Sequence, residues 1–229
     1  MIVVAAHGTR DPAGPAVIEA LADGVRAALP GEAVRVAYAD VRVPSVADVL
    51  SEHLGERAVV VPAFLAAGYH VRTDIPQQIA TSGHPRTVLA DAFGPAPELV
   101  AVLIERLVDG GYRTGDGVVL AAAGSSDPRA LVDVHDATYA LSVRLGAPVR
   151  IGFAATARPS VSDAVASLRA ARPDVPVAVA SWLLAPGLFQ RRLDDAGADV
   201  TANPLGAHPR VVDLIIRRYQ AAVGAFVAA

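Results

Sequence analysis

Short apolar runs alternate with stretches of helical apolar spacing along the first half of the chain. Ile2–Ala6 is an apolar run, and Pro15–Leu29 has the helical spacing and ends at Pro30-Gly31. The same alternation predicts strands at Val34–Ala39, Ala58–Val61 and Thr87–Ala92, a loop over Pro62–Asp74, and helices at Val46–Leu54, from Ile75 onward and at Pro97–Val108. Strands that alternate with helices are typical of a parallel sheet with helices on both faces.

The pattern then starts again in the second half of the chain. "VVLAAAGSSDP" from Val118 resembles "IVVAAHGTRDP" from Ile2, and "VRIGFAATARPSVSDAV" from Val149 resembles "VRVAYADVRVPSVADVL" from Val34. The offset between the two copies stays between about 112 and 119 residues, as in a tandem duplication. We therefore expect an α/β fold of two similar lobes, residues 1–112 and 113–229, each a parallel sheet flanked by helices, with a cleft between them.

Composition excludes several kinds of chemistry. The 229 residues include no cysteine, so disulfides and thiolate metal sites are ruled out, and a cytoplasmic location is the simpler expectation. The formal net charge of -3 argues against a nucleic-acid-binding protein. All 20 basic residues are arginine, which removes lysine-based mechanisms. The chain opens on the strand-like "MIVVAA", and no apolar run is long enough to cross a membrane, so we expect neither a signal peptide nor a transmembrane helix.

Three polar side chains follow the first three predicted strands. His7 comes directly after the first strand, Asp40 ends the second, and His70 lies in the loop after the third. Because the carboxyl ends of parallel strands meet at one edge of a sheet, all three are expected at that edge. Two imidazoles and a carboxylate suit a divalent first-row metal ion. His7, His70 and Asp40 are therefore the candidate metal ligands.

The second copy lacks all three of these groups. Ala123 stands at the position of His7, Ala155 at that of Asp40, and Phe189 at that of His70. Their joint loss from a preserved scaffold indicates a single functional site, present once. The other histidines show no such coincidence and are expected at the surface: His53, His84, His135 and His208.

The motifs "VAAHGTRDP" and "PAFLAAGYHVRTDIP" resemble those of the sirohydrochlorin chelatases of the CbiX/SirB group, which are class II, ATP-independent enzymes. The resemblance covers essentially the whole chain and departs from the family motif at Thr9, where serine is usual. The family's acidic residue, usually glutamate, corresponds to Asp40. The resemblance implies a metal-chelating lyase of siroheme or cobalamin biosynthesis, in which His7 and His70 are catalytic and hold the metal.

The implied reaction inserts Fe²⁺, the preferred expectation, or Co²⁺ into sirohydrochlorin, with the metal as substrate and no permanently bound cofactor. Guanidinium groups bind carboxylates bidentately, so the arginines beside the candidate ligands are expected to bind carboxylates of the eight-carboxylate ring. The expected substrate-binding residues are Arg10, Arg42, Arg72 and, in the second copy, Ser125.

Two alternatives stay open at the level of sequence. One is a non-catalytic two-lobe protein that binds a tetrapyrrole or a metal, and the other is a chelatase for a different tetrapyrrole. The expected partners are a small tetrapyrrole and a metal ion, with no nucleic acid or membrane, for a monomer or a homodimer. The sequence does not choose between iron and cobalt, because both accept imidazole and carboxylate ligands.

Overall fold

Each half of the chain forms one four-stranded parallel sheet in the computed structural model, which describes residues 1–225. The first sheet consists of β1 Ile2–Ala6, β2 Val34–Tyr38, β3 Ala58–Pro62 and β4 Thr87–Leu89, and the second of β5 Gly117–Ala122, β6 Val149–Phe153, β7 Val177–Trp182 and β8 Val200–Thr201. The strand orders correspond, β2-β1-β3-β4 and β6-β5-β7-β8. The predicted α/β fold of two similar, helix-flanked parallel sheets is confirmed.

The central strands β1 and β5 are uninterrupted apolar runs because both of their faces are covered. Every residue of β1 and of β5 is buried, and most are completely inaccessible to solvent. Near-continuous apolar runs of this kind are typical of parallel strands under helices. The covering helices are α1 Ala13–Ala28, α2 Val46–Ser51, α3 Ile75–Thr81, α4 Pro97–Asp109, α5 Pro128–Leu145, α6 Val161–Ala171, α7 Leu188–Asp194 and α8 Pro209–Ala225. Within residues 1–225, no helix is long and apolar enough to cross a membrane.

The last helix of each sequence repeat belongs to the other compact unit. Helix α8 packs against α1, β3 and β4, whereas α4 packs against α5 and β7. The compact units are therefore residues 1–94 together with the chain from Ala207 onward, and residues 95–206. This division differs from the sequence repeats 1–112 and 113–229 by the exchange of one helix.

Two arginines at corresponding positions fasten the exchanged helices. Arg106 of α4 donates a hydrogen bond to the carbonyl of Leu205 at 3.1 Å, and Arg218 of α8 donates to the carbonyl of Phe93 at 3.2 Å. Both accepting carbonyls come one residue before a glycine with a positive φ, 69° at Gly206 and 53° at Gly94. The same arginine–carbonyl hydrogen bond thus holds the exchanged helix in each compact unit.

The segment predicted as a loop before α3 contains a π-helical turn. Residues His70–Asp74 form it, and the backbone N–H of Ile75 donates to the carbonyl of His70, five residues earlier. Pro76 follows, and proline lacks the N–H that a regular α-helix needs while its ring crowds the carbonyl four residues before it. The prediction of a loop up to Asp74 was therefore wrong over its last five residues.

His84 is a buried structural residue, contrary to its expected place at the surface. It is only 8% exposed. Its Nδ1 lies 2.7 Å from the hydroxyl of Thr87, and its Nε2 lies 3.1 Å from the carbonyl of His53. These bonds link the loop before β4 to the end of the α2 region, which explains why the imidazole is buried.

Candidate functional site

His7 is held at the carboxyl edge of the first sheet by a turn that only glycine tolerates. Gly8 has φ of 87°, and a Cβ placed on it would lie 2.1 Å from the carbonyl oxygen of Asp40. The backbone N–H of Asp40 also donates to the carbonyl of His7 at 3.1 Å. The loops after β1 and β2 therefore interlock, while the imidazole of His7 stays exposed to solvent.

His70 reaches the same edge from the loop after β3. Its backbone begins the π-helical turn, and π-helical turns occur frequently at functional sites. The Nδ1 of His70 lies 3.0 Å from Oδ2 of Asp74, one helical turn farther along the chain. The imidazole is 27% exposed and the carboxylate 23%, so the pair is partly shielded from water.

The two imidazoles form a close pair. Their ring centroids are 4.5 Å apart, and the rings meet edge to face at 85°. Phe64 adjoins both, at 6.3 Å from the ring of His7 and 6.0 Å from that of His70. Strands β1 and β3 are hydrogen-bonded neighbours, which is why residues that follow them come together. The pairing expected from sequence agrees with this geometry.

The hydrogen-bond partners of the two rings assign their protons. Nδ1 of His7 lies 2.8 Å from the carbonyl oxygen of Gly8, and Nδ1 of His70 faces the carboxylate of Asp74. Both partners accept only, so each neutral ring carries its proton on Nδ1. The lone pair is then on Nε2 in both rings, and a lone pair on imidazole nitrogen is chemically able to bind a metal ion or to accept a proton.

Asp40 lies at the same edge, but its carboxylate is engaged locally. The backbone N–H of Val41 donates to Oδ1 of Asp40 at 2.6 Å. Within residues 1–225 there is no group of three or more histidine, cysteine, aspartate or glutamate side chains arranged to hold a metal ion. The geometry therefore groups two histidines, and metal binding by Asp40 stays a prediction.

The three predicted substrate-binding arginines are exposed, Arg10 and Arg42 on the loops after β1 and β2 and Arg72 on the π-helical turn. Arg42 donates from Nη1 to the carbonyl of Thr9 at 3.1 Å and lies over the ring of Tyr38 at 5.8 Å. Arg72 donates from Nε to the carbonyl of Ala67 at 2.7 Å, and Arg10 lies in the turn after His7. An open depression of about 600 Å³ is lined by residues 40–43. Cationic groups therefore surround this edge.

Tyr38 is not a candidate proton acceptor. Burial raises the pKa of its phenol, the carboxylate of Glu19 raises it further, and the guanidinium of Arg42 acts in the opposite direction. The phenol is therefore neutral at physiological pH. Its ring supports the guanidinium of Arg42.

Two residues of this site were missed in the sequence. Asp74 holds the ring of His70, and Gln78 donates from Nε2 to Oδ1 of Asp74 at 3.1 Å. The three residues are spaced four apart, which places them on one face of a helix. That spacing in "HVRTDIPQQ" was the available signal, and it was hidden because the segment was taken as a loop.

The second compact unit carries the corresponding turns without the imidazoles. Ser125 accepts a hydrogen bond on Oγ from the N–H of Asp127 at 3.0 Å, as Thr9 accepts on Oγ1 from the N–H of Asp11 at 3.2 Å. Phe189 is 38% exposed, with the guanidinium of Arg192 at 5.8 Å from its ring. Ser125 thus caps its own turn, and its proposed contact with substrate stays a prediction.

A family model described as CbiX matches residues 1–110 and, a second time, residues 117–222. The chain belongs to the CbiX family. The resemblance inferred from the two histidine motifs is therefore confirmed, and it extends to both halves of this CbiX protein.

Among curated proteins, a sirohydrochlorin cobaltochelatase from Methanopyrus kandleri is 33% identical over 81 residues. The match covers 34% of the chain and 57% of that protein, so the chain spans a little over half the length of this relative. The similarity supports the family assignment, and it leaves the activity and substrates of the whole chain to be inferred.

Solved structures that share the fold include two of SirB. SirB from Bacillus subtilis with Fe³⁺ superposes with a TM-score of 0.83 at 21% identity, over 96% of this chain and 94% of that one. The sirohydrochlorin chelatase SirB from Bacillus subtilis subspecies spizizenii, in complex with cobalt, gives a TM-score of 0.79 at 21% identity with the same coverage. At this level of identity the likeness concerns the fold.

Proposed function

We propose that this CbiX protein is an ATP-independent sirohydrochlorin chelatase that inserts Fe²⁺ or Co²⁺ into the ring. The observation that carries the proposal is the pair of imidazoles 4.5 Å apart at the carboxyl edge of the first sheet. Both rings have Nδ1 occupied by a hydrogen bond, so both have Nε2 available. A chain with this pair, in a family with a cobaltochelatase relative, has the groups that metal insertion requires.

Metal insertion exchanges two pyrrole N–H protons for one divalent ion. The ring nitrogens must lose their protons before they can bind the ion, so the reaction needs a proton acceptor and a place that holds the metal loosely. Neutral imidazole does both near neutral pH. We assign the ion to His7 and His70 and the transfer of protons to the same Nε2 atoms, as the pyrrole nitrogens replace the imidazoles one by one.

The ring itself brings eight carboxylates, and guanidinium groups are the matching partners. Arg10 and Arg72 flank the two histidines, and Arg42 lines the depression next to Asp40. We assign substrate carboxylates to these three arginines. For the second unit, we assign a carboxylate to the turn that contains Ser125, whose hydroxyl accepts the same backbone hydrogen bond as that of Thr9 in the first turn.

Asp40 is proposed as an auxiliary metal ligand. Its backbone is anchored to His7, and Oδ1 already accepts from Val41. We therefore expect Asp40→Asn, which retains this acceptor but removes the charge, to raise the KM for the metal by about 10-fold and to leave the KM for sirohydrochlorin unchanged. An unchanged KM for both substrates would remove Asp40 from the ligand set.

The decisive assay mixes sirohydrochlorin with Co²⁺ or Fe²⁺ under anaerobic conditions and follows the change in visible absorbance. We expect the protein to accelerate metal insertion, and the variant His7→Ala/His70→Ala to lose most of this acceleration while it keeps its circular dichroism spectrum. A rate equal to that without protein would favour a non-catalytic binding protein. Faster metallation of a dicarboxylate porphyrin would favour a chelatase for another tetrapyrrole.

A further inference from the structure

A chain of hydrogen bonds links His70 to the loop that contains Asp40. Gln78 on α3 donates from Nε2 to the carbonyl of Ala39 at 2.8 Å and to Oδ1 of Asp74 at 3.1 Å. Its Oε1 accepts from the N–H of Val46 at 3.0 Å. Asp74 then accepts from Nδ1 of His70 on its other oxygen at 3.0 Å. One amide therefore connects the β2 loop, the start of α2 and the π-helical turn.

We infer that Asp74 and Gln78 are positioning residues that fix the tautomer of His70, an assignment that rests on the proposed function only for its effect on metal insertion. Asp74 keeps the proton of His70 on Nδ1, so that the lone pair stays on Nε2. Gln78 keeps the carboxylate of Asp74 in place. Partners of this kind orient metal-binding histidines and set which ring nitrogen is available.

The hydrogen-bond partners of the Gln78 amide fix which way its oxygen and its nitrogen point. The N–H of Val46 can only donate, so it faces Oε1, and the carbonyl of Ala39 can only accept, so it faces Nε2. Gln78 therefore presents an N–H to residue 74. Whatever side chain occupies position 74 must offer an acceptor to Gln78.

This requirement predicts a specific consequence of Asp74→Asn. The introduced amide has one acceptor oxygen, which must face the N–H of Gln78, so its NH₂ group faces Nδ1 of His70. Nδ1 then has to accept, and the proton of the ring moves to Nε2. The variant should carry His70 in the tautomer that cannot bind a metal through Nε2, although its shape is almost unchanged.

The second unit contains a comparable glutamine–aspartate pair without a histidine. Gln190 on α7 donates to Oδ1 of Asp194 at 2.9 Å and to the carbonyl of Ala202 at 3.2 Å, while its Oε1 accepts from the hydroxyl of Ser181 at 2.7 Å. Here the amide only joins α7 to the strands. Asp194→Asn is therefore the matched control for Asp74→Asn.

The primary test is the tautomer of His70, measured by long-range ¹H–¹⁵N NMR of ¹⁵N-histidine-labelled protein at about pH 8.5, where imidazole in model peptides is neutral. The His70→Phe variant assigns the signal. We expect Nδ1–H in the wild type and in Asp194→Asn, Nε2–H in Asp74→Asn, and a return to Nδ1–H in Asp74→Asn/Gln78→Ala, where the introduced amide is free to turn over. Thermal unfolding checks that each variant folds.

The second test measures metal insertion in the same variants. Asp74→Asn should raise the KM for Co²⁺ on the order of 10- to 100-fold while the KM for sirohydrochlorin stays within about 2-fold, and the double variant should recover part of the loss. His70 with Nε2–H in the wild type, or the same tautomer in wild type and Asp74→Asn, would overturn the inference. Absence of catalysis by wild type with the expected tautomers would instead overturn the proposed function alone.

Discussion

The carboxyl edges of the two sheets share a backbone but differ in chemistry. Gly8 and Gly124 have φ of 87° and 96°, and a Cβ on either would lie 2.1 Å from a carbonyl oxygen of the neighbouring loop. The next loop contains a non-glycine residue with positive φ in both units, Val41 at 67° and Thr156 at 61°. Interlocking of the two loops therefore constrains the backbone in both units.

The candidate metal-binding side chains on this common frame are present in the first unit alone. The positions of His7 and His70 are taken by Ala123 and Phe189. The segment after the third strand also differs, because the π-helical turn and α3 together span twelve residues, from His70 to Thr81, whereas α7 spans seven. The longer segment contains the aspartate that holds His70. The backbone of these loops is therefore retained without the imidazoles, so it does not depend on them.

The largest expected effect comes from placing the residue of the second unit into the first. His70→Phe should lower kcat/KM for metal insertion at least about 100-fold, because the ring that binds the ion and accepts a proton is lost. Phe189→His should lower kcat/KM far less than 100-fold, because phenylalanine neither binds the ion nor accepts a proton. Anaerobic metallation kinetics measure both. Equal losses of kcat/KM in the two variants would show that both units contribute reactive groups, contrary to the difference between the two edges described above.

The shared backbone is tested by Gly8→Ala and Gly124→Ala. Each substitution brings a Cβ against a carbonyl oxygen at a positive φ, so each should lower the free energy of unfolding by about 2–4 kcal/mol. Chemical denaturation measures the two losses. Gly55→Ala is the control, since its added Cβ meets nothing within 4 Å, and it should change stability by less than about 0.5 kcal/mol. A loss confined to one of the two glycines would show that the units are constrained differently.

A smaller effect is expected from the arginines that distinguish the first edge. Arg10→Gln, at a position where the second unit has Ser126, should raise the KM for sirohydrochlorin by about 3- to 10-fold, the loss of one exposed charge-assisted hydrogen bond. The difference from wild type should shrink at high salt. Arg144→Gln, on the last turn of α5, should leave the KM unchanged. Equal effects of both substitutions in steady-state kinetics would mean that Arg10 acts only through the net charge of the protein.

The smallest effect concerns a feature that both units retain. Ser45 and Asp48 form a capping box at the start of α2, and Ser160 and Asp163 form one at the start of α6. Hydrogen bonds from Ser45 lower the pKa of Asp48 below 3.8, and those from Ser160 do the same for Asp163. The stabilisation of the folded protein by these two carboxylates is therefore present above pH 3.8 and is lost as the pH falls through the lowered pKa.

Asp48→Ala and Asp163→Ala should accordingly lower the Tm by similar small amounts near neutral pH. The differences from wild type should shrink below pH 3.8, where the wild-type carboxylates take up protons. Calorimetry across this range measures both. A pH-independent difference would mean that the carboxylate charge contributes nothing to either helix start.

Several features of the fold and of the site could be predicted from local pattern. The strand after which His7 follows is an uninterrupted apolar run, and its copy at Val118 has the same form. Because β1 and β3 are neighbours, the placement of His7 and His70 at one edge followed from the order of strands and helices. Their chemical roles stay proposals.

Other features depend on contacts between residues distant in sequence or on turns that local pattern does not reveal. The partner of His70 was missed because a proline-containing segment with no clear apolar period was taken as a loop. His84 was expected at the surface, yet it is buried by hydrogen bonds to Thr87 and to the carbonyl of His53. In both cases a single polar residue has no periodic signal, so its partners appear only in the folded chain.

The sequence by itself determined that the chain repeats one unit of strands and helices and that a single copy has two histidines at its strand ends. Only the tertiary structure decided which sheet each final helix covers: α4 and α8 have similar apolar faces, and the two sheets are similar surfaces, so the pattern along the chain fits either pairing. It also decided the orientation of the imidazoles. A ring is fixed by the acceptor that faces its Nδ1, and for His70 that acceptor is Asp74 on the π-helical turn. Gln78 on α3 holds Asp74 and also bonds to the carbonyl of Ala39 in the neighbouring loop.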